Sequence, residues 1–293
     1  MKIKAETLFA KARNLSLPVQ PYNYRTALVL CQDPKTTSQH LADVIATDYG
    51  LTLRLLTTIY SAFFSLDRKD ILSIRYMVVL LGMMNLKETI INAPILSSEQ
   101  EDLLLIYLGS GLLISFMAKQ LASLADLDTE EAEVCGLLQN IGEVACAASV
   151  PKIVRNSLLP DSFVIKRRRF ARMCSGYNPR RLGERLARHW NLPELIRITI
   201  IPEDFDLNSI SERERATVSL ITLLNSLVKE GLSRRASKSA VEDLFCDLCS
   251  LLKTKRTVLD HQIFTAVSVL ESKCPLFYKH LRQIGLVNRL LSL

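Results

Sequence analysis

The chain is poor in the residues that β-rich and fibrous proteins need. Its 293 residues include only ten Gly and ten Pro, and aromatic residues make up 6%. β-Sandwiches and barrels need many turns and strands rich in aromatic or β-branched residues, and collagen needs Gly at every third position. With 48% hydrophobic and 23% charged residues, the chain is also too apolar for intrinsic disorder. The composition therefore favours a helical globular protein.

Helical periodicity runs along the whole sequence, and alternating patterns of the strand type are missing from it. We therefore predict an all-α fold, made of an N-terminal helical bundle over residues 1–96, a second helical bundle over 97–207 and a C-terminal helical extension over 208–293. Apolar residues at i, i+3, i+4 and i+7 predict one continuous helix over 128–149. A hinge between two helices is predicted at Gly82, and a last helix over 275–293.

Signals for export, membrane insertion and zinc binding are weak. The chain opens on the charged segment MKIKAE, and its longest uncharged run, 103–118, is shorter than the roughly 20 residues that span a bilayer. We predict a buried core helix there. Seven scattered Cys favour reduced thiols and a cytoplasmic location. Cys246 and Cys249 form the one Cys-x-x-Cys pair, and we predict small core residues because no second pair or His ligand lies nearby.

Common catalytic motifs are also missing. The sequence has no P-loop, no dinucleotide-binding Gly motif, no nucleophile elbow and no His-Glu-x-x-His pattern. Its four His residues, His40, His189, His261 and His280, are far apart, and none has a ligand partner one helical turn away. Surface or helix-capping roles explain them. The sequence thus predicts no catalytic residue, no metal site and no cofactor.

Positive charge is concentrated in residues 152–188. That segment holds eleven Lys or Arg against Asp161 and Glu184, a charge of +9, so the remaining chain contributes −2 to the total of +7. A solvated helix face explains such a cluster, and so does contact with an acidic protein surface, a nucleotide or another anion, because Arg donates bidentate hydrogen bonds to carboxylate and phosphate. Few aromatic residues lie nearby, which disfavours nucleic acid. The candidate partner-binding residues are Lys166, Arg167, Arg168, Arg169 and Arg172.

Several short motifs occur in a characteristic order. They are Leu17-Pro18, Asp48 with Leu51-Thr52, Ser61-Ala62-Phe63-Phe64, Ile74 with Leu81-Gly82, the segment GLLQNIG at 136–142, and Trp190-Asn191-Leu192-Pro193. This series resembles the HD-related output domain (HDOD) family over about residues 5–202. The resemblance implies an N-terminal helical bundle packed on a bundle similar to the HD phosphohydrolases, in a bacterial signalling protein of a kind often regarded as non-catalytic.

The chain departs from the HD phosphohydrolases at their metal ligands. Such enzymes use a divalent ion, held by an adjacent His-Asp pair and further His and Asp residues, to activate water and neutralise phosphate. The pair that matches in this chain is Gln139-Asn140, two neutral amides. Pro179 and the Ile201-Pro202 region stand where the pattern has further His residues. We expect both amides to hydrogen-bond to neighbouring helices.

Together these features predict a non-enzymatic signal-transduction module that serves as a binding or scaffold domain for a signalling or regulatory protein or a small anionic ligand. Two alternatives stay open. One is a metal-dependent phosphohydrolase with ligands elsewhere in the sequence, and the other is an anion or nucleic-acid binder acting through residues 166–172. We also expect Ser61, Ala62 and Phe63 to be buried, and Trp190 to pack where the matched region meets the following helices.

Overall fold

The structure is a computed structural model, and it describes residues 5–62, 72–97, 102–149, 178–233 and 238–291. These residues form helices and connecting segments, and the only β-type pairing among them is an isolated parallel bridge between Val19 and Ile95. The prediction of an all-α fold is confirmed.

The N-terminal helices surround the extended segment that follows the first of them. Thr37 and His40 form a capping box at the start of the third helix, which agrees with a capping role for His40. Gly82 has a φ of 74° and kinks the fifth helix, so the predicted hinge is confirmed. The helices are α1 (Ala5–Ala12), α2 (Pro21–Leu30), α3 (Ser38–Ala46), α4 (Tyr49–Ala62) and α5 (Ile74–Ile91).

The second group of helices is organised around one long apolar helix. Its helices are α6 (Asp102–Ala122), α7 (Thr129–Leu138), α8 (Ile141–Ser149), α9 (Pro179–His189) and α10 (Glu194–Ile200). Within the described residues, the segment Leu103–Ala125 is long and apolar enough to cross a membrane, but 89% of its most apolar window is buried inside the protein. The prediction of a buried core helix is therefore confirmed.

The C-terminal helices pack against the same central helix. They are α11 (Glu212–Gly231), α12 (Lys238–Leu251), α13 (Arg256–Lys273), α14 (Pro275–Gln283) and α15 (Leu286–Leu291). A capping box of Ser211 and Glu214 starts α11, and α11, α13 and α14 all contact α6. Buried apolar side chains from all three predicted segments belong to one core cluster. The boundaries at 96/97 and 207/208 stay predictions.

Two predicted continuous helices are interrupted. The helix expected over 128–149 ends at Leu138 and resumes at Ile141, so that Gln139 and Asn140 lie at the joint. The helix expected over 275–293 is interrupted after Gln283, where Gly285 adopts a φ of 78°. Apolar periodicity continues across both interruptions, which is why the sequence pattern alone does not reveal them.

Three side-chain expectations differ from the structure. Ser61 is exposed on the last turn of α4, where its hydroxyl donates to the Thr58 carbonyl. Cys246 is exposed and Cys249 is half-buried, because the inward side of α12 is occupied by larger apolar residues such as Phe245. The half-buried Trp190 packs towards the N-terminus, since its Nε1 donates to the Arg13 carbonyl at 3.0 Å. Phe63 and the side chain of Ala62 lie outside the part of the chain that the structure describes, so their predicted burial stays a prediction.

A buried carboxylate joins the start of α2 to the start of α4. Asp48 is 1% exposed, and its oxygens accept hydrogen bonds from the backbone N–H groups of Gln20 at 2.8 Å and Leu51 at 3.0 Å. Burial raises the pKa of Asp48 to about 6, although these N–H donors lower it. Cys274 faces Asp48, but burial raises the pKa of its thiol to about 12, so the thiol stays protonated near neutral pH.

The raised pKa of Asp48 gives a testable pH dependence. Because the folded protein binds this proton more tightly than the unfolded chain, the contribution of Asp48 to stability is greatest at low pH and falls as the pH rises from about 4 to about 6. Urea unfolding of wild type and Asp48→Asn should show the wild type losing on the order of 3 kcal/mol relative to the variant over that range. Parallel stability curves would contradict this account.

Candidate functional site

The joint between α7 and α8 places Asn140 at the meeting point of three helices. Its side-chain oxygen accepts a hydrogen bond from the Tyr49 hydroxyl at 3.1 Å, and its side-chain nitrogen donates to the Tyr107 carbonyl at 2.8 Å. Asn140 is 5% exposed. The amide therefore ties α4 and α6 to the joint, and the expectation of hydrogen bonds to neighbouring helices is confirmed for Asn140.

Gln139 behaves differently. Its side chain is buried, and neither Oε1 nor Nε2 has a hydrogen-bond partner among the described residues. The expectation of hydrogen bonds to neighbouring helices is wrong for Gln139, a residue that lines a small cavity. Leaving a buried polar group unsatisfied destabilises a protein by about 1–3 kcal/mol. Gln139 is only 2% exposed, so bulk solvent does not supply the missing hydrogen-bond partner. We therefore look for that partner in the cavity.

That cavity is about 40 Å³ in volume, and both polar and apolar side chains line it. It has room for one or a few water molecules. Gln139, Asn140 and Glu143 line one side of it, and Asn225 and Lys229 of α11 line the other. Amide, carboxylate and ammonium groups therefore converge at the joint that carries Gln139 and Asn140, the pair predicted to replace the His-Asp pair of the HD phosphohydrolases.

Lys229 brings a positive charge to this position. Its Nζ lies 3.9 Å from Oε1 of Glu143, and the Lys229 and Glu143 side chains are 36% and 16% exposed. The second oxygen of Glu143, Oε2, is buried and has no hydrogen-bond partner among the described residues. Sequence reasoning missed Lys229 because α11 lies beyond the family motifs. The polar residues Asn225 and Lys229, one turn apart on an otherwise apolar helix face, were the available signal.

The residues at this position do not fit a divalent metal ion. Such ions are held by carboxylate, imidazole or thiolate ligands, and no group of three or more His, Cys, Asp or Glu lies together in the part of the chain that the structure describes. Here Glu143 supplies one carboxylate, and the ammonium group of Lys229 would repel a bound cation. Pro179, predicted from the resemblance to replace a further His, is the first residue of α9.

Part of the predicted basic segment is neutralised by folding. The described arginines of this segment form ion pairs with carboxylates, most of which come from outside residues 152–188. Such exposed pairs stabilise a protein little but reduce the net charge of the surface. The candidate binding residues Lys166, Arg167, Arg168, Arg169 and Arg172 lie outside the described residues. The pairs are Arg180–Glu203, Arg181–Asp204, Arg185–Glu6 and Arg188–Glu184.

A larger cleft lies between α2–α3 and α13–α14. Its volume is about 650 Å³, within the usual range of small-molecule pockets. Asp43 and Lys273 give its walls charges of both signs, Leu276 adds apolar surface, and Tyr22, which is 74% exposed, lies at its edge. Sequence reasoning missed this cleft because its walls come from opposite ends of the chain.

The helix order and the joint at 139–140 define an HD-like helical bundle preceded by an N-terminal bundle. The family model for the HDOD domain matches residues 17–202, more than half of the chain, and the chain belongs to the HDOD family. A comparison with curated protein sequences gave no match.

Two solved structures share this fold. The MmoQ response regulator from Methylococcus capsulatus is 20% identical with a TM-score of 0.58, and the match covers 81% of this chain and 98% of that one. A virulence factor (cj0248) from Campylobacter jejuni is 16% identical with a TM-score of 0.55, and the match covers 85% of this chain and 95% of that one. At these identities the likeness is one of fold.

Proposed function

We propose that this protein is a non-enzymatic signal-transduction module. The observation that carries the proposal is the occupation of the HD-like centre by the protein's own side chains. Asn140 is bound to Tyr49 and Tyr107, and Lys229 lies beside Glu143 where a phosphohydrolase of the HD type needs a water-activating metal ion. Membership of the HDOD family supports a signalling context. The metal and hydrolysis assay that closes the Discussion tests the non-enzymatic part.

In this proposal the module acts in the cytoplasm by binding a signalling or regulatory protein or a small anionic ligand. The run Lys166–Arg169 with Arg172 is the proposed protein-binding element, because a dense row of cations attracts an acidic surface over several ångströms and speeds association. The 650 Å³ cleft between α2–α3 and α13–α14 offers the space for a small ligand. Burial of α6 supports a protein that folds in water.

Charge reversal of Arg167, Arg168 and Arg169 to Glu tests the binding element. Exposed substitutions usually change stability by under about 0.5 kcal/mol, so we expect an almost unchanged melting temperature and a weakened capture of partners from native lysate. A matched control reverses three exposed cations elsewhere and changes the net charge by the same amount. The control set is Arg25→Glu, Lys35→Glu and Lys279→Glu.

The outcomes separate the alternatives. Loss of partners in the first variant and their retention in the control supports the proposed element. Unfolding of the first variant, or capture of every partner as in wild type, contradicts it. Binding of nucleic acid that weakens steeply with salt would favour a nucleic-acid binder instead.

A further inference from the structure

We infer that Lys229 supplies the positive charge of the HD-like centre and that its ammonium group neutralises the partly buried carboxylate of Glu143 through a water molecule held in the 40 Å³ cavity. The inference rests on the proposed non-enzymatic function and goes further, because it assigns a role to the C-terminal helices. The centre is incomplete without α11, which supplies the charge.

The separation of the two charged groups points to a bridging molecule. The distance of 3.9 Å between Lys229 Nζ and Glu143 Oε1 is too long for a direct hydrogen bond. Polar groups at such a separation are commonly bridged by water, and the cavity lies between these side chains.

One water molecule can donate hydrogen bonds to the buried oxygens of Gln139 and Glu143 that lack a partner. Buried waters make about three hydrogen bonds. Lys229 can donate to the water oxygen, while the water donates to Glu143 Oε2 and to Gln139 Oε1, which belong to cavity-lining residues and have no partner among the described residues. The same molecule thus accounts for the orphaned oxygens of Gln139 and Glu143.

Electrostatics explains why this cation is a lysine and not a metal ion. Glu143 alone carries one negative charge, which one ammonium group balances, whereas a divalent ion beside the ammonium group would add charge repulsion. The amides of Gln139 and Asn140 contribute no compensating charge. The charges of the described residues that line the cavity therefore balance when Lys229 is in place, and removal of Lys229 takes away the cation that lies beside the partly buried Glu143 carboxylate.

A double-mutant cycle in the full chain tests this coupling. Lys229→Met should raise the equilibrium constant for unfolding about tenfold or more, because it removes the cation beside the partly buried carboxylate of Glu143. Glu143→Gln in the Lys229→Met background should recover most of that loss, so that the two changes are far from additive. Lys279→Met, which removes an exposed lysine of α14, serves as the control for loss of a surface charge.

Chemical rescue gives a second readout. Methylammonium chloride should raise the melting temperature of Lys229→Met more than that of wild type, of Lys279→Met or of the double variant, since only Lys229→Met has a stranded carboxylate beside an opened space. If Lys229→Met alone does not fold, recovery of folding in the double variant supports the coupling, and failure of the double variant to fold contradicts it. Additive effects without rescue contradict it too.

The result that would contradict the non-enzymatic function differs from the one that would contradict the role of Lys229. Additive effects in a protein that purifies without metal overturn the role of Lys229 and leave the non-enzymatic function standing. Saturable stabilisation of the wild type by one equivalent of Mn²⁺ overturns both, because the position would then hold a metal ion in the presence of Lys229.

Discussion

Gly142→Ala is expected to lower the free energy of unfolding by more than about 4 kcal/mol, a loss that few single substitutions cause. A Cβ atom at position 142 would lie 1.8 Å from the carbonyl oxygen of Pro179 and 2.9 Å from the backbone nitrogen of Gly183. Both are backbone atoms, so no side-chain rotation relieves the overlap, and α8 and α9 would have to separate. Urea unfolding followed by circular dichroism measures the effect.

Gly109→Ala is the matched control for Gly142→Ala. Gly109 also lies within a helix, but a Cβ atom there would lie 3.0 Å from the Cβ of Phe277, an overlap that a shift of α14 by a few tenths of an ångström relieves. Ala also favours the helix over Gly by about 1 kcal/mol. We therefore expect a much smaller loss. Equal stability of the two variants would contradict the close packing of α8 on α9.

The double variant Gln139→His, Asn140→Asp is expected to show no phosphohydrolase activity and to lose about 3 kcal/mol of stability or more. A carboxylate at position 140 can still accept from Tyr49, but it cannot donate to the Tyr107 carbonyl, and it adds a second negative charge to the cavity that Glu143 lines. The positions that match the other His ligands hold Pro179 and Ile201-Pro202.

The two single variants show how much each substitution contributes to the loss of stability. Gln139→His breaks no hydrogen bond to a described residue, so it should be less destabilising than Asn140→Asp, which removes a buried one. Hydrolysis of nucleotides and cyclic dinucleotides with added Mn²⁺ is the activity readout. Turnover in a folded double variant would show that the remaining ligands are present and that our interpretation of Pro179 and Ile201-Pro202 is wrong.

Local patterns were sufficient for much of the fold. The kink at Gly82 depends on residues that are close in sequence, and it was predicted. The joint at 139–140 was not, because the apolar repeat continues from Leu138 to Ile141. The side chain of Asn140 there bonds to Tyr49, which is 91 residues away.

The candidate site was predicted in part for the same reason. The resemblance identified Gln139 and Asn140, whereas Lys229 reaches them only through the packing of α11. Likewise, a count of charges over 152–188 does not reveal that Glu6 and Glu203 come to lie beside Arg185 and Arg180. Pairings between distant segments are fixed by tertiary packing, which a single sequence does not encode in any local pattern.

The most direct test is the metal content and hydrolytic activity of the wild-type protein purified without chelator. Elemental analysis should find far less than one equivalent of any transition metal. Nucleotides and cyclic dinucleotides incubated with the protein and Mn²⁺ should remain intact, because Lys229 and two amides occupy the centre. One bound metal ion per chain together with turnover would contradict the account.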